Sequence, residues 1–492
     1  MPARHRLALP LLLLASLANN GTAQVVPPNV VLVIADDLGY GDLGSYGSSI
    51  MRTPHLDRLA NGGIRFTDAY VAAAVCSPSR AGLMTGRYPQ RHGYEFNTSG
   101  RDVDVGLSTE ETTLGDLMTQ ARYATGYIGK WHLGKRYEHH PLSRGFGEYF
   151  GVLAGATIFI EDGHPDAVHD PLRPIGTRDE REIYRGREVV EVDEHLTDVF
   201  TQEAIDFIDR NAGNEEPFFL VVSFNAPHTP LQAMREDMAV MTHVEDLRTR
   251  IYATMVSTVD RGVGALVERL EHHDIADDTF IVFMSDNGCV GYPSIACSNG
   301  PFNGSKRFHL EGGIRIPLIM HWPNGFDGGR VFSDPVISLD LFATFAAAAN
   351  TGFDDEVVRD GVDLLPYLNG SANGVPHDAL YWRTGPNRAI RMGRWKLFQV
   401  NRAAPDALHS HGRLLPLRNY PDSAAPHGQV SLLYDLNDDI GEATNLAIER
   451  SERLRDLTDR LDRWEETLAE PHWPSNRSTI TDIDGQRVQL FF

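Results

Sequence analysis

Four stretches of the chain share one pattern: a short unbroken apolar run, rich in β-branched residues, that gives way at once to polar groups. They are NVVLVIADD (29–37), ATGYIGKWH (124–132), PFFLVVSFNAPH (217–228) and TFIVFMSDN (279–287). Runs without polar alternation predict strands covered on both faces, as in a parallel sheet sandwiched by helices. Between them the spacing becomes helical. TPHLDRLANGG (53–63) starts with a proline, places Leu56 and Leu59 on one face and stops at glycine. LTDVFTQEAIDFIDRN (196–211) aligns Val199, Phe200, Ala204, Phe207 and Ile208 in one stripe. YATMVSTVDRGVGALVERLEHH (252–273) predicts a long helix that Gly262 and Gly264 weaken. Strand–helix alternation of this kind predicts an α/β fold, a large, mostly parallel central sheet flanked by helices.

The texture changes after about residue 375. ALYWRTGPNRAIRMGRWKLFQV (379–400) and SLLYDLNDDIGEATNLA (431–447) look like antiparallel strands and turns, and SERLRDLTDRLDRWEETLAE (451–470) like a terminal amphipathic helix. These predict a smaller C-terminal α+β domain over 376–492, after a catalytic α/β domain over 24–375. The polar stretches 161–195 and 403–430 read as loops, and 151–195, 232–250 and 403–430 are the expected seat of specificity.

Residues 1–23 have the build of a signal peptide: Arg4 and Arg6, an apolar run from Leu7 to Leu17, then small residues. The run is too short to cross a bilayer, which takes about 20 residues. An uncleaved anchor or a buried helix is the competing reading. Export to the periplasm or the outside is expected, with no integral membrane segment after signal removal. In such a compartment Cys289 and Cys297 are candidates for pairing, which leaves Cys76, of three cysteines, alone. The formal charge of −22, without a basic tract, excludes nucleic acid as a partner. It does not exclude an anionic substrate, because a local cluster of cations outweighs a distant field.

In open α/β sheets ligands bind beyond the carboxyl ends of the strands. Here the four runs end in Asp36-Asp37, in Lys130 with His132, in His228, and in Asp286-Asn287. Four such endings predict one assembled site. Asp36, Asp37, Asp286 and Asn287 offer only oxygen donors, which suit Ca²⁺ or Mg²⁺ rather than zinc. Turn formation alone is the bland alternative for Asp-Asp and Asp-Asn-Gly. In CSPSRAGLMTGR (76–87), Pro78 fits the first turn of a helix with Ser77 as its cap. Cys76 then sits at the positive end of the helix, with Arg80 one turn on, and a lowered thiol pKa is expected. The residues alone thus allow a cysteine nucleophile beside a metal, or merely a buried thiol behaving as a small apolar residue.

CSPSR followed by AGLMTGRY resembles the signature of the type I sulfatases of the alkaline-phosphatase superfamily, Cys-x-Pro-x-Arg running into Thr-Gly-Arg. The resemblance extends through NVVLVIADDLGYGDLGSYG, TGYIGKWHLG, APHTPLQA, SDNG, EGGIRIPLIMHWP, GVDLLPYLNG and LYDLNDDIGEATNLA. It implies an alkaline-phosphatase-like fold and a sulfatase that releases inorganic sulfate, with a sulfated glycan or another sulfate ester as substrate. Cys76 is then oxidised to formylglycine (3-oxoalanine) by a maturation enzyme that reads the neighbouring residues. One divalent cation, usually Ca²⁺, is held by Asp36, Asp37, Asp286 and Asn287, with the modified residue completing the set. Arg80 orients the hydrated aldehyde, Lys130 and His132 hold the sulfate and the modified residue, and His228 and Lys306 stand on the leaving-group side. One hydroxyl of the hydrate attacks sulfur while His228 protonates the departing alcohol, and a base, for which His132 is placed, takes the proton of the second hydroxyl to expel sulfate. A phosphodiesterase or phosphonate monoester hydrolase of the same superfamily is the runner-up, and a non-catalytic glycan-binding relative the third reading.

Overall fold

The computed structural model describes residues 27–98, 105–172, 182–291, 297–354, 356–404, 406–410, 415–416, 427–475 and 477–492. The expected signal peptide and most of 403–430 lie outside the described residues.

All four apolar runs are strands, and they adjoin one another. The main sheet comprises, in chain order, β1 (Asn29–Ala35), β2 (Ile64–Phe66), β3 (Ala124–Lys130), β4 (Glu148–Val152), β5 (Ile183–Arg185), β6 (Glu188–Val190), β7 (Phe218–Ser223), β8 (Thr279–Ser285), β9 (Leu318–His321) and β10 (Arg330–Phe332). Their order in space is β10-β2-β9-β8-β1-β7-β3-β4-β5-β6. The central group β8-β1-β7-β3-β4 is parallel throughout. Antiparallel pairs lie on either side of it.

Strand β1 shows why its run is unbroken. Val30, Leu32 and Ile34 enter one apolar core, and Val31, Val33 and Ala35 enter the other. A strand buried on both faces has no polar side to show. One core is covered by α1 (Pro54–Gly62), α3 (Leu196–Asn211) and α4 (Leu247–His272). The other is covered by α2 (Cys76–Thr85), α5 (Asp340–Ala348) and the C-terminal sheet.

The long helix begins at Leu247 rather than Tyr252, because Asp246 caps it by accepting the Thr249 N–H at 2.8 Å. Its glycines are where it meets its neighbours. A Cβ at Gly262 would fall 2.6 Å from Thr201 Oγ1 of α3, and one at Gly264 2.2 Å from His55 Nδ1 of α1. The cost in helix propensity is accepted for close packing.

The C-terminal sheet contains β11 (Leu380–Thr384), β12 (Asn387–Met392), β13 (Trp395–Arg402), β14 (Leu415–Pro416), β15 (Gln429–Asp435), β16 (Arg477–Ile483) and β17 (Gln486–Phe491). Its described pairs are antiparallel, and helix α6 (Ser451–Glu465) packs against it. Two expectations fail. The stretch 161–195 is not all loop, because β5 and β6 extend the main sheet at its edge, where short strands leave no long apolar run. The chain also does not end on the helix: the hairpin β16–β17 follows it.

Candidate active site

The register of the parallel strands brings the four polar endings together. Ala35 pairs with Ser285, Ile34 with Ser223 and Ser223 with Gly129, so β1, β8, β7 and β3 finish at one level. Beyond that level the chains stay tied: Asp286 N–H donates to the Ala35 carbonyl and Asp36 N–H to the Ala226 carbonyl, each at 3.1 Å. Asp37 and His132 turn there with φ of 64° and 61°, a left-handed conformation uncommon outside glycine and often found at functional sites.

Helix α2 delivers Cys76 to the same place. It begins at Cys76 itself, with Val75 as N-cap, which corrects the expected cap. Ser77 lies inside the helix, its Oγ 2.7 Å from both the Tyr94 hydroxyl and the His132 carbonyl. Cys76 is a free, buried thiol, and Cys289 is disulfide-bonded to Cys297. The Cys76 Sγ lies 3.6 Å from Asp36 Oδ1, 3.9 Å from Asp37 Oδ1 and 2.8 Å from Lys306 Nζ. One helical turn on, Arg80 fixes the floor. Its Nε and Nη2 lie 2.9 and 2.8 Å from Asp286 Oδ2, and its Nη1 donates to the Lys130 carbonyl and the Ser223 hydroxyl. Ser223 closes the PFFLVVS run; its place at the end of a strand was the signal that it too belongs here.

Lysines neutralise the acids one by one. Lys130 Nζ is 2.6 Å from Asp36 Oδ2, both side chains fully buried, and Lys306 Nζ is 2.7 Å from Asp37 Oδ1. Asn287 Nδ2 also donates to Asp37 Oδ1, at 2.6 Å, and Asp286 Oδ1 accepts the Asp37 N–H at 3.2 Å. His228 Nε2 stands 3.5 Å from Asp37 Oδ2. Asp36, Asp37, Cys76, Arg80, Lys130, His228, Asp286, Asn287 and Lys306 are therefore linked in one cluster, and His132 is tied to it through its carbonyl, which accepts from Ser77 Oγ.

The electrostatics differ from expectation at the thiol. Burial pushes the Cys76 pKa up to about 12, and Lys130 and Lys306 oppose it without prevailing. Burial also acts against the Asp36 carboxylate, but Lys130, His228 and Arg80 outweigh it and lower that pKa; at Asp37, Lys306 and His228 do the same. Asp286 is raised by burial and by Asp36 in spite of Arg80. Burial pulls Lys306 down, yet Asp37 and Cys76 carry it well above the usual lysine range. Both histidines are lowered, chiefly by burial.

The histidine tautomers follow from their partners. His228 Nδ1 meets the Thr229 carbonyl, which only accepts, so Nδ1 carries the hydrogen and Nε2 gains one only in the imidazolium form. His132 Nε2 faces the Thr98 carbonyl at 3.4 Å, which leaves its buried Nδ1 as a lone pair without a partner among the described residues. A proton acceptor and a potential donor thus flank one pocket of charge.

Asp36, Asp37, Cys76 and His228 each offer a ligand atom within 4.8 Å of the others. Asp37 Oδ2 and Asn287 Oδ1 are buried acceptors with no hydrogen-bond donor among the described residues, the condition a hard cation would relieve. The donor set fits such an ion.

Residues 28–351 match the family model described as Sulfatase. A dog (Canis lupus familiaris) N-acetylgalactosamine-6-sulfatase is 37% identical over 402 residues, which cover 78% of this chain and 74% of that protein. Human (Homo sapiens) steryl-sulfatase is 31% identical over 457 residues, 77% of this chain and 76% of its own. Among solved structures, Ps i-CgsB in complex with k-i-k-neocarrahexaose superposes with a TM-score of 0.78 at 35% identity, over 91% of this chain and 94% of that one.

Proposed function

The chain belongs to the sulfatase family of the alkaline-phosphatase superfamily and is a sulfuric ester hydrolase, and from that premise we propose that it desulfates a sulfated carbohydrate, using Cys76 in its formylglycine form. The observation that carries the reading is the position of Cys76 Sγ, in contact with Lys306 and facing Asp36 and Asp37 at the floor of the site. A buried thiol whose pKa is pushed up to about 12 is a poor nucleophile. Conversion to an aldehyde hydrate, whose hydroxyls stand in for the sulfur, resolves that conflict.

Asp36, Asp37, Asp286 and Asn287 would hold the divalent cation, Ca²⁺ in this reading. When bound, it supplies Lewis-acid polarisation and neutralises part of the charge of the ester. Lys130 and Lys306 supply fixed positive charge beside the position of Cys76, where sulfuryl oxygens gain charge as the ester breaks. Arg80, held on three sides, keeps Asp286 and the end of β3 in place. His132 accepts a proton at Nδ1, and His228 gives one from Nε2 to the departing alcohol.

The carbohydrate assignment is supported by an N-acetylgalactosamine-6-sulfatase among the relatives and by an oligosaccharide, k-i-k-neocarrahexaose, in a structural neighbour. Export is supported by the Cys289–Cys297 disulfide. The test is sulfate release from neocarra-oligosaccharides and from N-acetylgalactosamine-6-sulfate oligosaccharides, compared with steryl and aryl sulfates. Faster turnover of the steryl or aryl esters than of every sulfated oligosaccharide would overturn the carbohydrate assignment.

A further inference from the structure

Lys306 reaches Cys76 from a loop, and the base of that loop is gripped from the C-terminal sheet. The loop runs from Asn303 to Glu311 and is closed by the Gly312 N–H donating to the Asn303 carbonyl at 2.7 Å. On the catalytic side it is held by two backbone bonds, Lys306 N–H to the Cys289 carbonyl at 2.9 Å and Arg307 N–H to the Ala74 carbonyl at 2.7 Å. On the other side stands Glu442, beyond the end of β15. Its Oε2 accepts the Glu311 N–H at 2.7 Å, and its own carbonyl accepts from Asn303 Nδ2 at 3.3 Å. Both feet of the loop thus rest on one residue.

That residue is itself fixed. Lys396, on β13, donates to Glu311 Oε1 at 2.8 Å and lies 2.9 Å from Glu442 Oε1. All three side chains are completely buried. Glu442 adopts φ of 50°, which a glutamate keeps only where its surroundings over-determine it. Glu311 Oε2 is held separately, by Arg315 Nη1 at 3.1 Å and by the Tyr70 hydroxyl, so Lys396 is the link between the two carboxylates. A buried pairing of this kind is a weak source of stability, because desolvation offsets most of the attraction. It does specify position: without the ammonium Glu311 keeps Arg315, but Glu442 loses the cation that ties its carboxylate to Glu311, and the residue on which both feet of the loop rest is no longer fixed.

We propose that Lys396, acting through Glu311 and Glu442, is a positioning residue for Lys306, so that the C-terminal domain sets where the Lys306 ammonium stands. The inference rests on the reading of Lys306 as a group acting on the sulfate ester. A shift of about 1 Å at such a group costs on the order of 100-fold in rate.

The experiment is a double-mutant cycle on the full, matured chain: Lys396→Met and Lys306→Ala, singly and together, with kcat measured on aryl sulfates of graded leaving-group pKa. Lys396→Met should lower kcat about 10- to 100-fold in the wild-type background, most for the poorest leaving groups, and less than about 3-fold when Lys306 is already alanine. Asn303→Ala, at an exposed side chain that removes one foot, should follow the same pattern with a smaller loss and serves where Lys396→Met does not fold. An equal loss in both backgrounds, or the same loss for every leaving group, would mean a structural role and overturn the inference. If Lys306→Ala turns over like the wild type, the role of Lys306 falls and this inference with it. If Lys306→Ala is slow and Lys396→Met slows it as much again, the proposed function stands and the clamp does not.

Discussion

Arg80 and Asp286 form an ion pair from which water is excluded, with two guanidinium nitrogens within 2.9 Å of one carboxylate oxygen. They come from a helix and a strand end 206 residues apart in the chain. The pair joins the helix that carries Cys76 to the end of β8, where two of the four metal-ligand candidates, Asp286 and Asn287, stand.

Breaking it should therefore cost both stability and activity. Arg80→Ala takes the guanidinium partner from buried Asp286 and removes the donor to the Lys130 carbonyl and Ser223. A loss of about 3–5 kcal/mol in folding free energy is expected, read from the denaturant midpoint. Arg80→Lys keeps the charge but not the fork, and should recover stability before activity.

Cys76→Ser tests the need for two oxygens on one carbon. A serine offers one hydroxyl, so it should take one SO₃ from substrate and stop, because no second hydroxyl remains to expel the sulfate. Intact-mass measurement after substrate addition should show a stoichiometric sulfate ester and no turnover. Steady turnover by the serine variant would contradict the two-hydroxyl scheme.

The pH dependence follows from His228. Burial lowers its pKa below the ordinary 6.5, so its imidazolium, the acid form, is populated only on the acid side of that value. As pH rises through the lowered pKa the proton is lost, and log kcat/KM should fall with unit slope. A cation beside Asp37 pushes the same way. A bound anionic ester stabilises the imidazolium, so the corresponding limb of kcat should lie at higher pH. His228→Ala should remove the limb, with a loss of about 10²–10⁴-fold. A wild-type profile flat across this range would rule His228 out as the acid.

Removing divalent ions with a chelator should abolish activity and lower the melting temperature. Calcium restored to about 100 times its dissociation constant should return about 2.7 kcal/mol of stability. Asp37→Asn, which removes one of the charged ligands, should raise the calcium concentration needed for both. Full activity of the thoroughly chelated enzyme would contradict the assignment.

Much of this site was legible in the sequence because the parallel strands are adjacent and finish at one level. Asp36 and Asp286 meet since Ala35 pairs with Ser285, and a polar ending after an apolar run is visible without coordinates. What escaped was settled by long-range contacts. Cys76 has a raised pKa because it is enclosed, although its helix position argued for a lowered one. Strands β5 and β6 are too short to leave a pattern, and it is the pairing of β5 with β4 and of β6 with β5 that makes them strands. Lys396 looks like an ordinary strand lysine, and its partner Glu311 lies 85 residues away.

The central claim is that the residue at position 76 is no longer a cysteine in working enzyme. Mass spectrometry of the peptide spanning residue 76, from material with measured sulfatase turnover, tests this most directly. The account predicts the aldehyde or its hydrate, without the thiol sulfur, in a fraction that rises with specific activity. An intact thiol at position 76 in fully active protein would contradict it.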